Sequence, residues 1–163
     1  MGKKTARKLV VVDGANIAYA ERSASGRPKV VNLIAVRDTL KERGYESIII
    51  VDASLRHEID DPDRLEALIR DQTVRQAPAG TDADYFVIAT AEEHHARIVS
   101  NDQYAPWADQ YPWLRDRRIP LMIIQGRVEL YEELPEQNGR QQEGKSKKRP
   151  GRRPKPRPAA GTG

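Results

Sequence analysis

The sequence contains no cysteine, and that absence excludes a disulfide scaffold, a thiol nucleophile and any zinc site with sulfur ligands. A metal held by oxygen remains open. Nowhere is there an apolar run of the length a membrane span requires, and the opening "MGKKTARK" carries charge where a signal peptide has its apolar core. No membrane contact is expected, and the expected location is cytoplasmic. A glycine-rich phosphate loop and a Ser/His/Asp constellation are both missing, so nucleotide binding and nucleophilic catalysis lose ground. Histidine offers little more. His94 and His95 are neighbours on a helical pattern and point in different directions; with His57 they read as surface or partly buried side chains.

What is present is charge, unevenly placed. The net charge of +4 conceals opposed regions: residues 136–163 hold nine Lys/Arg against two Glu, Lys3, Lys4, Arg7 and Lys8 add four more, and residues 9–135 carry 15 basic against 22 acidic side chains. An acidic body between basic ends suits a protein that draws a polyanion to a cation-dependent acidic site. A solubilising tail explains the same numbers. The length of 163 residues supports one domain plus a tail. The divisions are a basic extension over 1–7, a folded domain over 8–134, and a Lys/Arg/Pro-rich tail over 135–163 that is expected to be disordered for want of apolar residues.

Along the body, short apolar runs alternate with helical patterns. "KLVVVD" reads as a buried strand closed by Asp13-Gly14, with Gly14 expected to permit the turn. Val30, Leu33, Ile34 and Leu40 fall at helical spacing, and Gly44 stops that helix. "SIIIVD" is a second strand. Asp61 followed by Pro62 starts a helix to about Asp71, with Leu65, Leu68 and Ile69 inward. "TVRQ" is a weak third strand. "TDADYFVIATAEEHHA" opens with Thr81 and Asp84 three apart, close to a capping box, and continues as a helix to about Ala96. "RIVS" is a fourth strand, and "IPLMIIQGRVELY" reads as two strands joined at Gln125-Gly126, the first near an edge because of Pro120. The fold class is α/β: a three-layer α/β/α domain around a central, mostly parallel sheet.

In such sheets the functional crevice lies beyond the carboxyl ends of the strands. Asp13, Asp52 and Asp102 each follow a strand, and Asp82 and Asp84 open the helix before the fourth. Several carboxylates at one edge repel each other unless a cation neutralises them, and hard oxygen donors suit Mg²⁺ or Mn²⁺, which activates water and stabilises charge in phosphodiester cleavage. Each acid also has an ordinary explanation: Asp82 and Asp84 as helix-start acids, Asn101-Asp102 as an Asx turn, Asp52 as a loop acid facing water.

"VVVDGANIA", "ASLR", "TDADYFVI" and "IVSNDQY", taken together over about Lys8 to Tyr131, resemble the Regnase-type (Zc3h12a-like) ribonucleases, the NYN branch of the PIN-like nuclease superfamily. The resemblance implies a PIN-like fold and Mg²⁺-dependent endonucleolytic cleavage of single-stranded or loop RNA. It makes Asp13, Asp84 and Asp102 the metal-site acids, Asn16 the asparagine that shapes the site, and Arg56 a contact to RNA phosphate. Asn101 is a further candidate substrate contact. The family's adjacent pair of aspartates is here "DAD", so Ala83 occupies one carboxylate position and Asp82 is the candidate substitute. Pro106 stands where a further acid is expected, leaving Asp109 as an alternative. A homodimer is within the family's habits. The zinc-finger module of the animal proteins is absent, as the lack of cysteine requires.

Recruitment of substrate then falls to "KSKKRPGRRPKPRP", in which Lys147, Lys148, Arg149, Arg152 and Arg153 are candidate nucleic-acid contacts. Its "PGRRPKP" is similar to an AT-hook for A·T-rich DNA, with Pro150 where the hook has arginine; a generic electrostatic grip on RNA is the other reading. Two alternatives to the ribonuclease stay open. One is a catalytically weak PIN-like binding module acting through the tail, the other a metal phosphoesterase acting on DNA or small phosphates.

Overall fold

Residues 8–132 are described by the structure, a computed structural model; the basic extension and the tail lie outside them. Five strands run parallel, β1 (Lys8–Asp13), β2 (Tyr45–Val51), β3 (Val74–Gln76), β4 (Arg97–Val99) and β5 (Arg118–Ile119), side by side in the order β3-β2-β1-β4-β5. The helices are α1 (Gly14–Ala18), α2 (Val30–Glu42), α3 (Pro62–Arg70), α4 (Ala83–Glu93) and α5 (Leu114–Arg117). Successive strand side chains point to opposite faces. Val10, Val12, Ile49 and Val51 therefore meet Leu33, Val36 and Leu40 of α2 and Leu65 of α3, while Val11, Ile50 and Ile98 meet Val87, Ile88 and Ala91 of α4. Burial on both faces is why β1 and β2 are apolar at every inner position rather than at alternate ones.

The chain lays down β1, β2 and β3 outward on one side, then returns to place β4 against the other side of β1. That reversal opens a crevice between the carboxyl ends of β1 and β4. Asp13 ends the first of these strands, and Ser100 to Asp102 follow the second.

The helix starting at Pro62 and the helix stopping at Gly44 are as the sequence predicts: Asp61 accepts from the Arg64 amide at 3.0 Å, and Gly44 takes φ +83°. Three expectations need correction. The cap of α4 is Asp82 rather than Thr81, its carboxylate accepting from the Asp84 amide at 2.9 Å. Spacing alone fits either residue, and the aspartate satisfies an orphan helix amide. The same helix stops at Glu93 rather than near Ala96, because His95 turns into the left-handed region at φ +49°. Lastly, "IPLMIIQGRVELY" divides at Pro120. Ile119 belongs to the main sheet, whereas β6 (Leu121–Ile124) and β7 (Arg127–Leu130) form a separate antiparallel hairpin. Gln125 and Gly126 make its turn with φ of 50° and 77°, and Glu21 holds that turn by accepting from their amides at 2.6 and 3.2 Å.

The short helix α1 escapes sequence reading, and it changes the role of Gly14. A Cβ at this position would sit 2.5 Å from Val51 Cγ1 and 2.7 Å from the Ile50 carbonyl oxygen. Glycine is needed for the close approach of α1 to β2, not for a left-handed turn. Gly14→Ala is expected to push α1 off β2 and lower stability by about 1–3 kcal/mol, the usual cost of overpacking a core. Urea unfolding should show a lower midpoint at constant slope, and an unchanged midpoint would show that β2 yields freely.

Candidate active site

Three elements converge on the crevice: the end of β1 brings Asp13, the first turn of α4 brings Asp84, and the loop after β4 brings Asp102. One carboxylate oxygen from each lies within 4.8 Å of the others, Asp13 being buried and the other two half-buried.

Asp13 is the most constrained. It ends a strand covered on both faces and also caps α1, its Oδ1 accepting from the Asn16 amide at 3.3 Å. Its Oδ2 accepts from the Tyr104 hydroxyl at 2.6 Å and from the Ser100 hydroxyl at 3.4 Å. Burial pushes the Asp13 carboxyl above the usual range, and the bonds from Tyr104 and Asn16 oppose that rise without cancelling it. Burial and the Asp13 charge drive the Tyr104 phenol far above its ordinary value, so it remains a proton donor.

The Asp84 carboxyl is pushed up from 3.8 to about 6, first by burial and then by the charges of Asp13, Asp102, Asp82 and Asp52. The electrostatics are thus those of like charges confined together. Among the described residues no lysine or arginine pairs with any of the three aspartates.

The loop from Ser100 to Tyr104 is fixed by its own side chains. Ser100 Oγ accepts from the Asp102 amide at 3.0 Å, and Asp102 Oδ1 accepts from the Tyr104 amide at 2.7 Å. Asn16 Oδ1 accepts from the Asn101 amide at 2.9 Å, tying the loop to α1. Tyr104 adopts φ 51°, ψ 42°, a left-handed conformation that turns its ring inward beneath Asp13.

Sequence-derived candidates fall into three groups. Asp13, Asp84 and Asp102 come together, and Asn16 shapes the site through Asn101. The exposed Asn101 accepts at its amide oxygen from the Leu121 amide, 2.8 Å away, and so braces the start of β6. Asp82 caps α4 and stands outside the group of three, as do Asp52, which accepts from the Ser54 hydroxyl, and the exposed Asp109. Arg56 donates to Gln76 at 2.7 Å and pairs with Glu66 at 2.9 Å, which fixes its guanidinium at the end of β3. Lys147, Lys148, Arg149, Arg152 and Arg153 lie outside the described residues. Ser100 and Tyr104 were missed. The signal available was the compact "SNDQY", in which a hydroxyl two residues before the aspartate and a tyrosine two after it can both turn back to the strand.

The donor set fits a hard divalent cation: oxygen only, three carboxylates, and no counter-charge among the described residues. Either a proton on Asp84 or such a cation relieves the repulsion.

The fold has relatives. The Zc3h12a-like ribonuclease NYN domain matches residues 6–142. No curated protein matches the chain. A crystal structure of nuclear proteinaceous RNase P 2 (PRORP2) from A. thaliana is similar in fold, with a TM-score of 0.61 and 17% identity over 78% of this chain and 30% of that one. A second structure, of Arabidopsis thaliana nuclear protein-only RNase P 2, gives a TM-score of 0.60 and 20% identity over 81% of this chain and 31% of that one. The chain therefore spans about a third of the length of those proteins. The family match covers all the described residues and every carboxylate of the crevice, and by it the chain belongs to the Zc3h12a-like ribonuclease NYN domain family.

Proposed function

We propose that the chain is an endoribonuclease that hydrolyses phosphodiester bonds of single-stranded or loop RNA and depends on Mg²⁺ or Mn²⁺ held by Asp13, Asp84 and Asp102. The observation that carries this reading is the convergence at the crevice between β1 and β4 of three carboxylates, within 4.8 Å of one another and with no Lys or Arg partner among the described residues. When bound, the cation supplies a lowered pKa for water and stabilisation of the charge that builds on the phosphoryl oxygens.

The chain's own residues supply the rest. Tyr104 and Ser100 bond one oxygen of Asp13 and thereby fix the carboxylate's orientation. Asp84, its pKa pushed up to about 6, would lose its proton on holding a cation, so loading the site would release a proton below about pH 6. Asp102 is held by the Tyr104 amide, which couples its position to the tyrosine beneath Asp13. The local negative charge repels RNA phosphates, which makes seating of the scissile phosphate depend on the cation and affinity for the strand depend on groups elsewhere. Arg56 beside β3 and the Lys/Arg tail are the candidates for that role. This assignment does not require Asp82, which is committed to its cap.

Labelled single-stranded RNA should be cut with Mg²⁺, should survive in EDTA, and should survive with Asp13→Asn, whose loss costs at least about 10² in rate if it removes an electrostatic ligand. Equal cleavage under all three conditions would refute the proposal. Deleting residues 136–163 should weaken RNA binding and flatten its salt dependence while leaving slow metal-dependent cleavage.

A second test concerns pH. The Asp84 carboxyl rises from 3.8 to about 6 on folding, so the folded state holds the extra proton in that interval and this group's contribution to stability falls as pH rises through it. In EDTA, Asp84→Asn should raise Tm at pH 7 and have little effect near pH 4. Mg²⁺ should raise the wild-type Tm at pH 7 and lose that effect in the variant. Equal shifts at both pH values would remove the charge-repulsion account.

A further inference from the structure

From the start of α4 to the segment that follows Asp102 runs a row of aromatic rings that the proposed hydrolysis does not use. Tyr85, next to Asp84 on the first turn of α4, is 43% exposed. Its ring centroid lies 5.7 Å from that of Trp107, tilted by 39°. Trp107 ends the short 3₁₀ turn Ala105–Trp107, five residues beyond Asp102. It lies 6.4 Å from the ring of the buried Tyr111, which in turn lies 6.1 Å from Trp113, over whose ring the Arg117 guanidinium sits at 4.9 Å. Trp107 and Trp113 pack on the core beneath α4, so Trp107 is held in place from behind. Tyr85 is the ring left at the surface.

We propose that Tyr85, backed by Trp107, is a stacking platform for one unpaired nucleobase of the RNA strand whose phosphate reaches the three aspartates. Charge favours this occupant. The carboxyl edge of the sheet carries Asp13, Asp84, Asp102, Asp82 and Asp52, each contributing to a field that opposes a second anion. A base is uncharged there and has a π-face, so an aromatic ring can hold it without any positive side chain. The tail cannot do this, since residues 136–163 contain no aromatic. A base can stack on Tyr85 only after leaving its own helix, so the platform selects unpaired RNA over duplex. Tyr85 is adjacent in sequence to Asp84, and Trp107 belongs to the segment that leaves the Asp102 loop. Binding and cleavage are therefore built on the same two pieces of chain.

The inference rests on the ribonuclease reading, and one set of measurements separates the two. Full-length protein is assayed with Mg²⁺ on an unpaired oligoribonucleotide, and its affinity for the same strand is measured in EDTA by tryptophan quenching. Tyr85→Ala should raise KM and weaken binding in EDTA by about tenfold, the typical loss of one stacked base, while Tyr85→Phe stays within about twofold of wild type. Replacing single nucleotides by abasic ones should reveal a position where the Tyr85→Ala penalty disappears. An unchanged KM and affinity in Tyr85→Ala, or a Tyr85→Phe variant as weak as Tyr85→Ala, would overturn the platform. Should wild type bind the strand through Tyr85 yet cut nothing, the platform stands and the ribonuclease reading falls.

Discussion

A carboxylate buried at the end of a doubly covered strand has to be given partners, and the arrangement around Asp13 follows from that requirement. Water is largely excluded there, so the charge is sustained by an amide at a helix start and by two hydroxyls from across the crevice. Both hydroxyls belong to one loop, whose ends are set by β4 and by the 3₁₀ turn that follows it. Satisfying Asp13 thus positions Asp102, and through the Asn16–Asn101 bond it also positions the start of α1. The site is a by-product of solving one desolvation problem, with the third acid delivered from the opposite layer by α4.

The second constraint is repulsion. Three acids share a space with no counter-charge among the described residues, and the fold accepts that strain because the end of β1, the first turn of α4 and the side-chain-braced loop after β4 each give one of them a rigid mount. Much of the binding free energy of a cation would come from relieving this repulsion. Under the proposed function the same field would divide recognition of RNA, with neutral aromatic surface near the reacting phosphate and positive charge farther away.

Much of this was legible in the sequence, for reasons that differ by element. β1 and β2 announced themselves because burial on both faces leaves uninterrupted apolar runs, and the acids were legible because each follows such a run or opens a helix. Less could be read where the decisive fact is a contact between distant segments. Gly14 is explained by the Ile50 carbonyl, 36 residues away in the chain, and no local pattern encodes that. The hairpin β6–β7 was legible as two strands joined at Gln125-Gly126, but not its separation from the main sheet, because strand propensity does not say which sheet a strand joins. Tyr104 was hidden because its inward turn depends on a left-handed backbone that tyrosine seldom adopts, and Tyr85 because a surface ring gains meaning only from what lies beside it.

The loop after β4 differs in kind from the strands around it. In a helix or a sheet, backbone groups satisfy each other, and side chains can be exchanged without removing those bonds. Between Ser100 and Tyr104 the amides of Asn101, Asp102 and Tyr104 are instead satisfied by Asn16, Ser100 and Asp102 side chains. The shape of this segment is therefore written in residue identity, and drift at any of these positions costs both a backbone partner and part of the site. Gln103, exposed and outside that set of bonds, is the place where the loop is free to vary.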